Sequence, residues 1–214
     1  MRKILCILAG GRSSRFGTSK LRLEVDGRPI IAWLGDRLGT RCDERWLSTA
    51  PGAPLPPGAG AFDRVLYDRV GYSGPLRAIS HALSTARRHD VMIIAAADMP
   101  LVEPSHIESM MRTLRRLRAA AVMTRWTNGL DGGQRDAGQV EPMPSIWRAG
   151  RGARLIGEAM AVGVRGPHRL ALWRGVRCLP IGGERGRRCF ANINAPADAT
   201  AVGQLLGHHR LGLR

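Results

Sequence analysis

A glycine-containing loop, residues 10–20, carries the residues best suited to chemistry in this sequence. It follows the apolar run 4–9 and contains two adjacent glycines, four hydroxyl side chains and three cations, of which Arg15 and Lys20 are the last two. Glycine permits a tight turn and lets an anionic ligand approach backbone N–H groups. The loop therefore predicts phosphate binding, although it matches neither the P-loop nor the dinucleotide fingerprint. Solvated cations in an ordinary turn are the alternative.

Asp98 is the second candidate, because it ends the most apolar run in the chain, residues 90–97. Open α/β sheets bind their ligands at the carboxyl ends of the strands, and Pro100 restricts the turn that follows. A carboxylate in this position can hold Mg²⁺, which takes one or two protein carboxylates and completes its shell with water and phosphate oxygens. A turn-forming Asp before a proline is the alternative interpretation.

Asp68 and Gly74 form a third candidate at another strand end. Asp68 follows a predicted strand at 64–67, and Ser73-Gly74-Pro75-Leu76 opens a helix. A carboxylate near a bound purine can accept hydrogen bonds from the N1–H and the exocyclic amine of guanine. The alternative is that Asp68 is a turn residue and Ser73 a helix cap.

Asn192 and Asn194 are the fourth candidate. Asn194 stands shortly before Pro196, an arrangement typical of a helix N-cap and a first-turn proline. If the segment is extended, both side chains lie on the same face, since side chains repeat every two residues in a strand. Asn192 has no capping role, so it is the more informative of the two.

The elements around these candidates alternate between short apolar runs and helical patterns, which indicates an α/β fold with a mostly parallel sheet. Strands are predicted at 3–9, 46–49, 64–67, 90–97, 119–124, 144–147 and 176–181. Helices are predicted at 29–38, 75–86, 104–118, 150–163 and 167–173, and from 196 onwards. Residues 21–27 predict a small extended excursion with an Asp-Gly turn, and 127–142 a mobile loop. Residues 1–214 are predicted to form a single domain.

The charge balance favours anionic partners. With 33 basic and 17 acidic residues the net charge is +16, which suits nucleic acid, a membrane surface or phosphorylated small molecules without choosing among them. Three Phe and two Tyr provide few stacking platforms, which argues against nucleic acid. No apolar run approaches the roughly 20 residues that span a bilayer. The four cysteines lack metal or redox spacing and predict reduced thiols in a cytoplasmic protein.

Together these segments resemble the molybdenum cofactor guanylyltransferases, a branch of the Rossmann-like nucleotidyltransferases. The resemblance covers nearly the whole chain and follows the family's order, at residues 8–20, 73–76, 97–101 and 190–198. The first and third segments are similar to motifs shared across nucleotidyltransferases. The Gly-Gly, Gly-Pro-Leu and Asn-Ile-Asn forms are similar to the guanylyl branch. The resemblance implies a three-layer Rossmann-like fold with a mostly parallel central sheet.

The resemblance also implies a role for each candidate. The residues implied in nucleotide binding are Leu8, Ala9, Gly10, Gly11, Lys20, Asp68 and Gly74. Lys20 and Arg15 would hold the phosphates and carry catalysis, Asp98 would carry Mg²⁺, and Asn192 and Asn194 would face the acceptor. The implied reaction transfers GMP from GTP to the terminal phosphate of molybdopterin and releases pyrophosphate. Molybdoenzyme maturation proteins are the implied protein partners.

Three positions depart from the family's pattern. Ser19 stands where the family usually has Asp, Phe16 where it has Met, and Arg77-Ala78 where Ala-Gly follows the Leu. Ser19 removes a possible partner of Lys20 or of the metal, and Arg77 adds bulk and charge beside the base pocket. Two alternatives therefore stay open: a related enzyme that uses CTP or another phosphorylated acceptor, and a non-catalytic module that binds nucleotides or nucleic acid.

Overall fold

The computed structural model describes residues 1–10, 20–68, 74–127, 137–193, 196–206 and 211–213. Its strands are β1 (Lys3–Leu8), β2 (Leu23–Val25), β3 (Arg28–Pro29), β4 (Glu44–Thr49), β5 (Arg64–Tyr67), β6 (Val91–Ala96), β7 (Ala121–Trp126), β8 (Val140–Arg148), β9 (Val176–Ile181) and β10 (Leu211–Leu213). Its α-helices are α1 (Ile30–Gly39), α2 (Pro75–Thr85), α3 (Pro104–Arg116), α4 (Ala149–Ala161), α5 (Gly183–Cys189) and α6 (Pro196–Leu205). Short 3₁₀ turns occupy Lys20–Arg22, Ala59–Ala61 and Pro167–Leu172.

Within these ranges seven strands form the central sheet, in the order β5-β4-β1-β6-β8-β7-β9. Adjacent strands are parallel except in the two pairs that contain β8, so β8 alone opposes the direction of the other six. The predicted central strand is β6, which takes the middle position and buries all of its residues. The prediction of an α/β fold with a mostly parallel sheet is confirmed.

Two apolar layers cover the faces of this sheet. Side chains of β1 alternate between them: Leu5 and Ile7 pack with α1, α3 and α6, whereas Ile4, Cys6 and Leu8 pack with α2 and α4. Period-two alternation in a strand sends successive side chains to opposite faces, and a strand buried on both faces is apolar throughout. The result is the predicted three-layer arrangement of helices, sheet and helices.

A small antiparallel sheet has the strand order β10-β2-β3. Asp26 and Gly27 join β2 to β3 with φ angles of 52° and 72°, the left-handed geometry that an Asp-Gly hairpin turn requires. Buried Leu23 and Val25 join the same core as α1. This anchors the 3₁₀ turn that begins at Lys20.

Three predictions need correction. Residues 140–142 belong to β8 and not to a loop, because they pair with β7 through Glu141 and Val140; residues 128–136 lie outside the described part. The predicted helix 167–173 is a 3₁₀ turn, and α5 was not predicted.

Among the described residues, no helix is long and apolar enough to cross a membrane. The single-domain assignment stays a prediction.

Candidate active site

A cleft of about 340 Å³ opens at the carboxyl ends of the parallel strands. All predicted site residues within the described ranges line it: Leu8, Ala9, Gly10, Lys20, Asp68, Gly74, Asp98 and Asn192. The other predicted site residues, Gly11, Arg15 and Asn194, lie outside the described residues, as do Phe16 and Ser19. Four separate sequence segments therefore meet at one edge of the sheet.

Backbone hydrogen bonds continue the ladder just past the strand ends and fix these segments. The N–H of Ala9 donates to the carbonyl of Ser48 at 2.8 Å, and the N–H of Asp68 donates to that of Thr49 at 2.9 Å. The N–H of Ala97 donates to the carbonyl of Leu8 at 3.2 Å. Residues at the rim of the cleft thereby take their positions from the sheet itself.

Lys20 and Asp98 form an ion pair at the centre of the cleft. Their Nζ and Oδ2 atoms lie 2.5 Å apart, and the side chains are only 23% and 19% exposed. The family usually has an Asp at position 19 that could pair with Lys20, and this chain has Ser19 there. Asp98 is the carboxylate that pairs with Lys20 instead. A complex of phosphate with a metal ion needs two kinds of protein group. A cation can bind the phosphate oxygens, and a carboxylate can bind the metal.

Asp68 is half-buried at the end of β5, where the hydroxyl of Ser48 donates a hydrogen bond of 3.0 Å to its Oδ1. Burial raises the pKa of the Asp68 carboxyl, while the Ser48 hydrogen bond and the charge of His81 oppose that shift. A Cβ added at Gly10 would lie 3.6 Å from Asp68 Oδ2. Glycine at position 10 therefore keeps the approach to this carboxylate open.

The N-terminus of α2 lines the cleft together with Asp68. Gly74 precedes the helix with φ 91° and ψ 170°, a conformation that residues with a Cβ rarely adopt. Pro75 follows at the first helical position, where its missing N–H costs no helical hydrogen bond. Gly-Pro therefore sets where the chain turns into the helix, and the structure gives a physical reason for that motif.

Asn192 borders the cleft next to Asp98. The N–H of Ile193 donates to the carbonyl of Asp98 at 2.9 Å, which ties the two segments together. The Oδ1 of Asn192 is buried and has no hydrogen-bond partner among the described residues. An unpaired buried amide oxygen is costly, so this atom is suited to a ligand or a cation.

These oxygens fit the Mg²⁺ implied by the sequence resemblance. The Asp98 carboxylate and the Asn192 amide oxygen are hard donors of the kind that Mg²⁺ prefers, and the ion commonly takes few protein ligands besides phosphate and water. Across the described ranges no group of three or more His, Cys, Asp or Glu side chains could hold a metal. Binding of Mg²⁺ stays a prediction.

Residues that the sequence did not single out also line the cleft, among them Ser48, Glu141, Pro142 and Met143. Ser48 belongs to the predicted strand 46–49, and its place beside Leu8 follows from the parallel pairing of β4 with β1. Glu141 is only 8% exposed and accepts a 3.2 Å hydrogen bond from the Trp126 indole N–H through Oε1. The sequence pattern of residues 127–142 predicts a loop, and for that reason it does not point to Glu141.

Residues 5–202 match the family model of the MobA-like NTP transferase domain. The chain belongs to this family. The match covers both ends of the cleft and includes each candidate residue named above. The family resemblance found in the sequence motifs is confirmed.

Two curated relatives of this MobA-like NTP transferase are described as molybdenum cofactor guanylyltransferases, one of them as probable. A molybdenum cofactor guanylyltransferase from Cereibacter sphaeroides is 30% identical over 214 residues, covering 96% of this chain and 98% of the relative. A probable molybdenum cofactor guanylyltransferase from Pyrococcus horikoshii is 30% identical over 139 residues, which cover 60% of this chain and 65% of that protein.

Solved structures confirm the fold of the MobA-like NTP transferase. Molybdopterin-guanine dinucleotide biosynthesis protein A from Archaeoglobus fulgidus superposes with a TM-score of 0.69 at 18% identity, and the match covers 95% of this chain and 98% of that one. At this level of identity the likeness establishes the architecture. The roles of individual side chains rest on the cleft geometry.

Proposed function

We propose that the chain transfers GMP from GTP to the terminal phosphate of a molybdopterin acceptor and releases pyrophosphate. The observation that carries the proposal is the Lys20–Asp98 pair, which lies in one cleft with the Asp68 carboxylate and with the buried Oδ1 of Asn192, an atom that has no hydrogen-bond partner among the described residues. Full-length likeness to a molybdenum cofactor guanylyltransferase supports the same reaction.

The chemistry needs position and charge more than proton transfer. The acceptor phosphate is already an anion, so it can attack the α-phosphorus of GTP in line without a general base. Lys20 would neutralise charge that develops on the phosphate oxygens, and preorganised groups of this kind commonly supply a large part of catalysis. Arg15, outside the described residues, is the second cation predicted for these phosphates. Asp98 and Asn192 would hold Mg²⁺, which supplies Lewis-acid stabilisation of the phosphoryl oxygens when bound.

Asp68 favours guanine over cytosine. A carboxylate accepts two hydrogen bonds from the adjacent N1–H and 2-amino group of guanine, whereas cytosine offers one amine donor beside two acceptors. Facing those acceptors, the ionised carboxylate would repel the base. This disfavours the alternative of a CTP-dependent enzyme, and family membership disfavours a non-catalytic module.

Pyrophosphate release from each of the four nucleoside triphosphates, with and without molybdopterin, tests the proposal. The expected result is release that requires both GTP and molybdopterin. Release with CTP in place of GTP, or release that is indifferent to molybdopterin, would overturn the assignment. A cytoplasmic location and contact with molybdoenzyme maturation proteins belong to the same proposal and follow from the scattered free thiols and the family resemblance.

A further inference from the structure

Two carboxylates lie at opposite ends of the cleft. Asp68 follows β5, and Glu141 is the second residue of β8. The strand order β5-β4-β1-β6-β8 separates them by four strand spacings, which is about 19 Å across the sheet at roughly 4.8 Å per spacing. The Lys20–Asp98 pair follows β1 and β6 and so lies between them. The cleft therefore has a carboxylate, a charged centre and a second carboxylate in line.

The two ring systems of the proposed product present the same edge. Guanine and a pterin both contain a 2-amino-4-oxopyrimidine ring, in which a ring N–H stands beside an exocyclic amine. Two adjacent donors are complementary to the two oxygens of one carboxylate. A dinucleotide whose pyrophosphate occupies the charged centre would direct its two rings towards the two carboxylates.

The surroundings of Glu141 fix its orientation before any ligand arrives. Oε1 accepts the 3.2 Å hydrogen bond from Trp126, whose own side chain is 1% exposed and packs edge-on against Phe190 with ring centroids 5.9 Å apart. Pro142 and Met143 follow on the wall of the cleft and supply apolar surface for the face of a ring. A buried, oriented carboxylate beside such surface is typical of a site that reads the edge of a flat heterocycle.

We infer that Glu141 binds the 2-amino-4-oxopyrimidine edge of the pterin acceptor, at the far end of the cleft from Asp68. This inference rests on the proposed function, because it assigns the acceptor half of that same site. It names a specificity-determining residue, since an acceptor with a carbonyl oxygen in place of one donor would set that oxygen against the buried carboxylate, and such mismatches are strongly penalised.

Substitution Glu141→Gln tests the inference. Glutamine keeps a carbonyl oxygen for the Trp126 indole N–H but turns an amine donor towards the donors of the pterin. We expect the KM for molybdopterin to rise about 10- to 100-fold, as for loss of a hydrogen bond to a charged group, while the KM for GTP stays within about twofold. An unchanged KM for molybdopterin in a folded, active variant would overturn the inference.

Glu44→Gln is the matched control. Glu44 also accepts a hydrogen bond from an indole N–H, that of Trp46 at 2.7 Å, but it does not line the cleft. Its replacement should leave both KM values unchanged. If Glu44→Gln raises the KM for molybdopterin as much as Glu141→Gln does, the effect comes from loosening a Glu–Trp contact and the inference is wrong.

Inhibition by free ring systems gives a second measurement that needs no variant. Pterin and pteridine-2,4-dione differ at position 2, where the dione has a carbonyl in place of the amine. Competing against molybdopterin, pterin should inhibit the natural chain at least about tenfold better than the dione, and Glu141→Gln should lose that preference. Equal inhibition of the natural chain by the two compounds would overturn the inference. Failure of the proposed function would show instead as no pyrophosphate release with GTP and molybdopterin.

Discussion

The two ends of the cleft, proposed here for guanine and for the acceptor, place the same functional group in different surroundings. Asp68 is half-buried and accepts a hydrogen bond from a serine hydroxyl, which rotates about its own bond. Glu141 is nearly excluded from solvent and accepts from an indole locked into aromatic packing. The nucleotide end can therefore adjust its carboxylate, whereas the acceptor end presents one that is already set.

Replacing Lys20 by alanine should have the largest effect, because the charged centre serves both ends. Loss of this cation is expected to lower the turnover of pyrophosphate release about 10³-fold or more, with circular dichroism unchanged since the pair is partly exposed. Lys3→Ala, at the other of the chain's two lysines, is the control and should keep full activity. Near-normal turnover in Lys20→Ala would remove Lys20 from the mechanism.

Asp68→Asn should break the guanine end alone. The amide presents a donor to the donors of guanine, so kcat/KM for GTP should fall about 10- to 100-fold while the KM for molybdopterin changes little. Steady-state kinetics with both substrates varied would measure this, beside Glu141→Gln as the opposite case. If Asp68→Asn and Glu141→Gln raise the same KM, the division of the cleft into two ends is incorrect.

Asp98→Asn should raise the Mg²⁺ concentration needed for half-maximal activity, roughly tenfold or more. The reason is that the variant loses the charged oxygen that Asp98 would offer to the ion. A titration of activity with Mg²⁺ at saturating substrates measures the shift. An identical titration curve would mean that Asp98 serves only as the partner of Lys20.

Ser48→Ala should give the smallest effect and one that depends on pH. The Ser48 hydrogen bond lowers the pKa of Asp68 against the upward effect of burial, so its loss should raise that pKa further. Binding of guanine requires the ionised carboxylate and is lost as the pH falls through this pKa, so the acid limb of kcat/KM for GTP should move to higher pH. At neutral pH we expect a loss of about fivefold. An acid limb that stays in place would exclude Ser48 as a support for Asp68.

Much of the proposed nucleotide end could be predicted from the sequence, because its residues come directly after predicted strands. Leu8 and Asp98 each end a buried run, Asp68 follows the partly exposed strand β5, and parallel strands bring such ends together. Glu141 could not be found that way. Pro142 and Pro144 lack the N–H that a ladder needs, so the strand pattern fails there, and the register of β7 and β8 shifts between Val122 and Thr124.

The contact between Lys20 and Asp98 was also beyond the sequence, since 78 residues separate them and no local spacing relates them. The sequence predicts that Lys20 binds phosphate and that Asp98 binds Mg²⁺, and the structure shows in addition that the two side chains form an ion pair. Two further elements were missed for physical reasons. Helix α5 reads Gly-Glu-Arg-Gly-Arg-Arg-Cys and has little apolar pattern, and the short strand β10 takes its conformation from pairing with β2, far away in the chain.

The reversed direction of β8 affects how acceptor choice can change. Because β7 ends and β8 begins at the same edge of the sheet, with Arg125 paired to Val140, the connection between them starts and finishes beside the acceptor end. Insertions or substitutions there can reshape what is bound without moving β1, β4 or β5, which hold the nucleotide end. The same scaffold can thus evolve towards new acceptors while the half that activates the nucleotide is inherited unchanged.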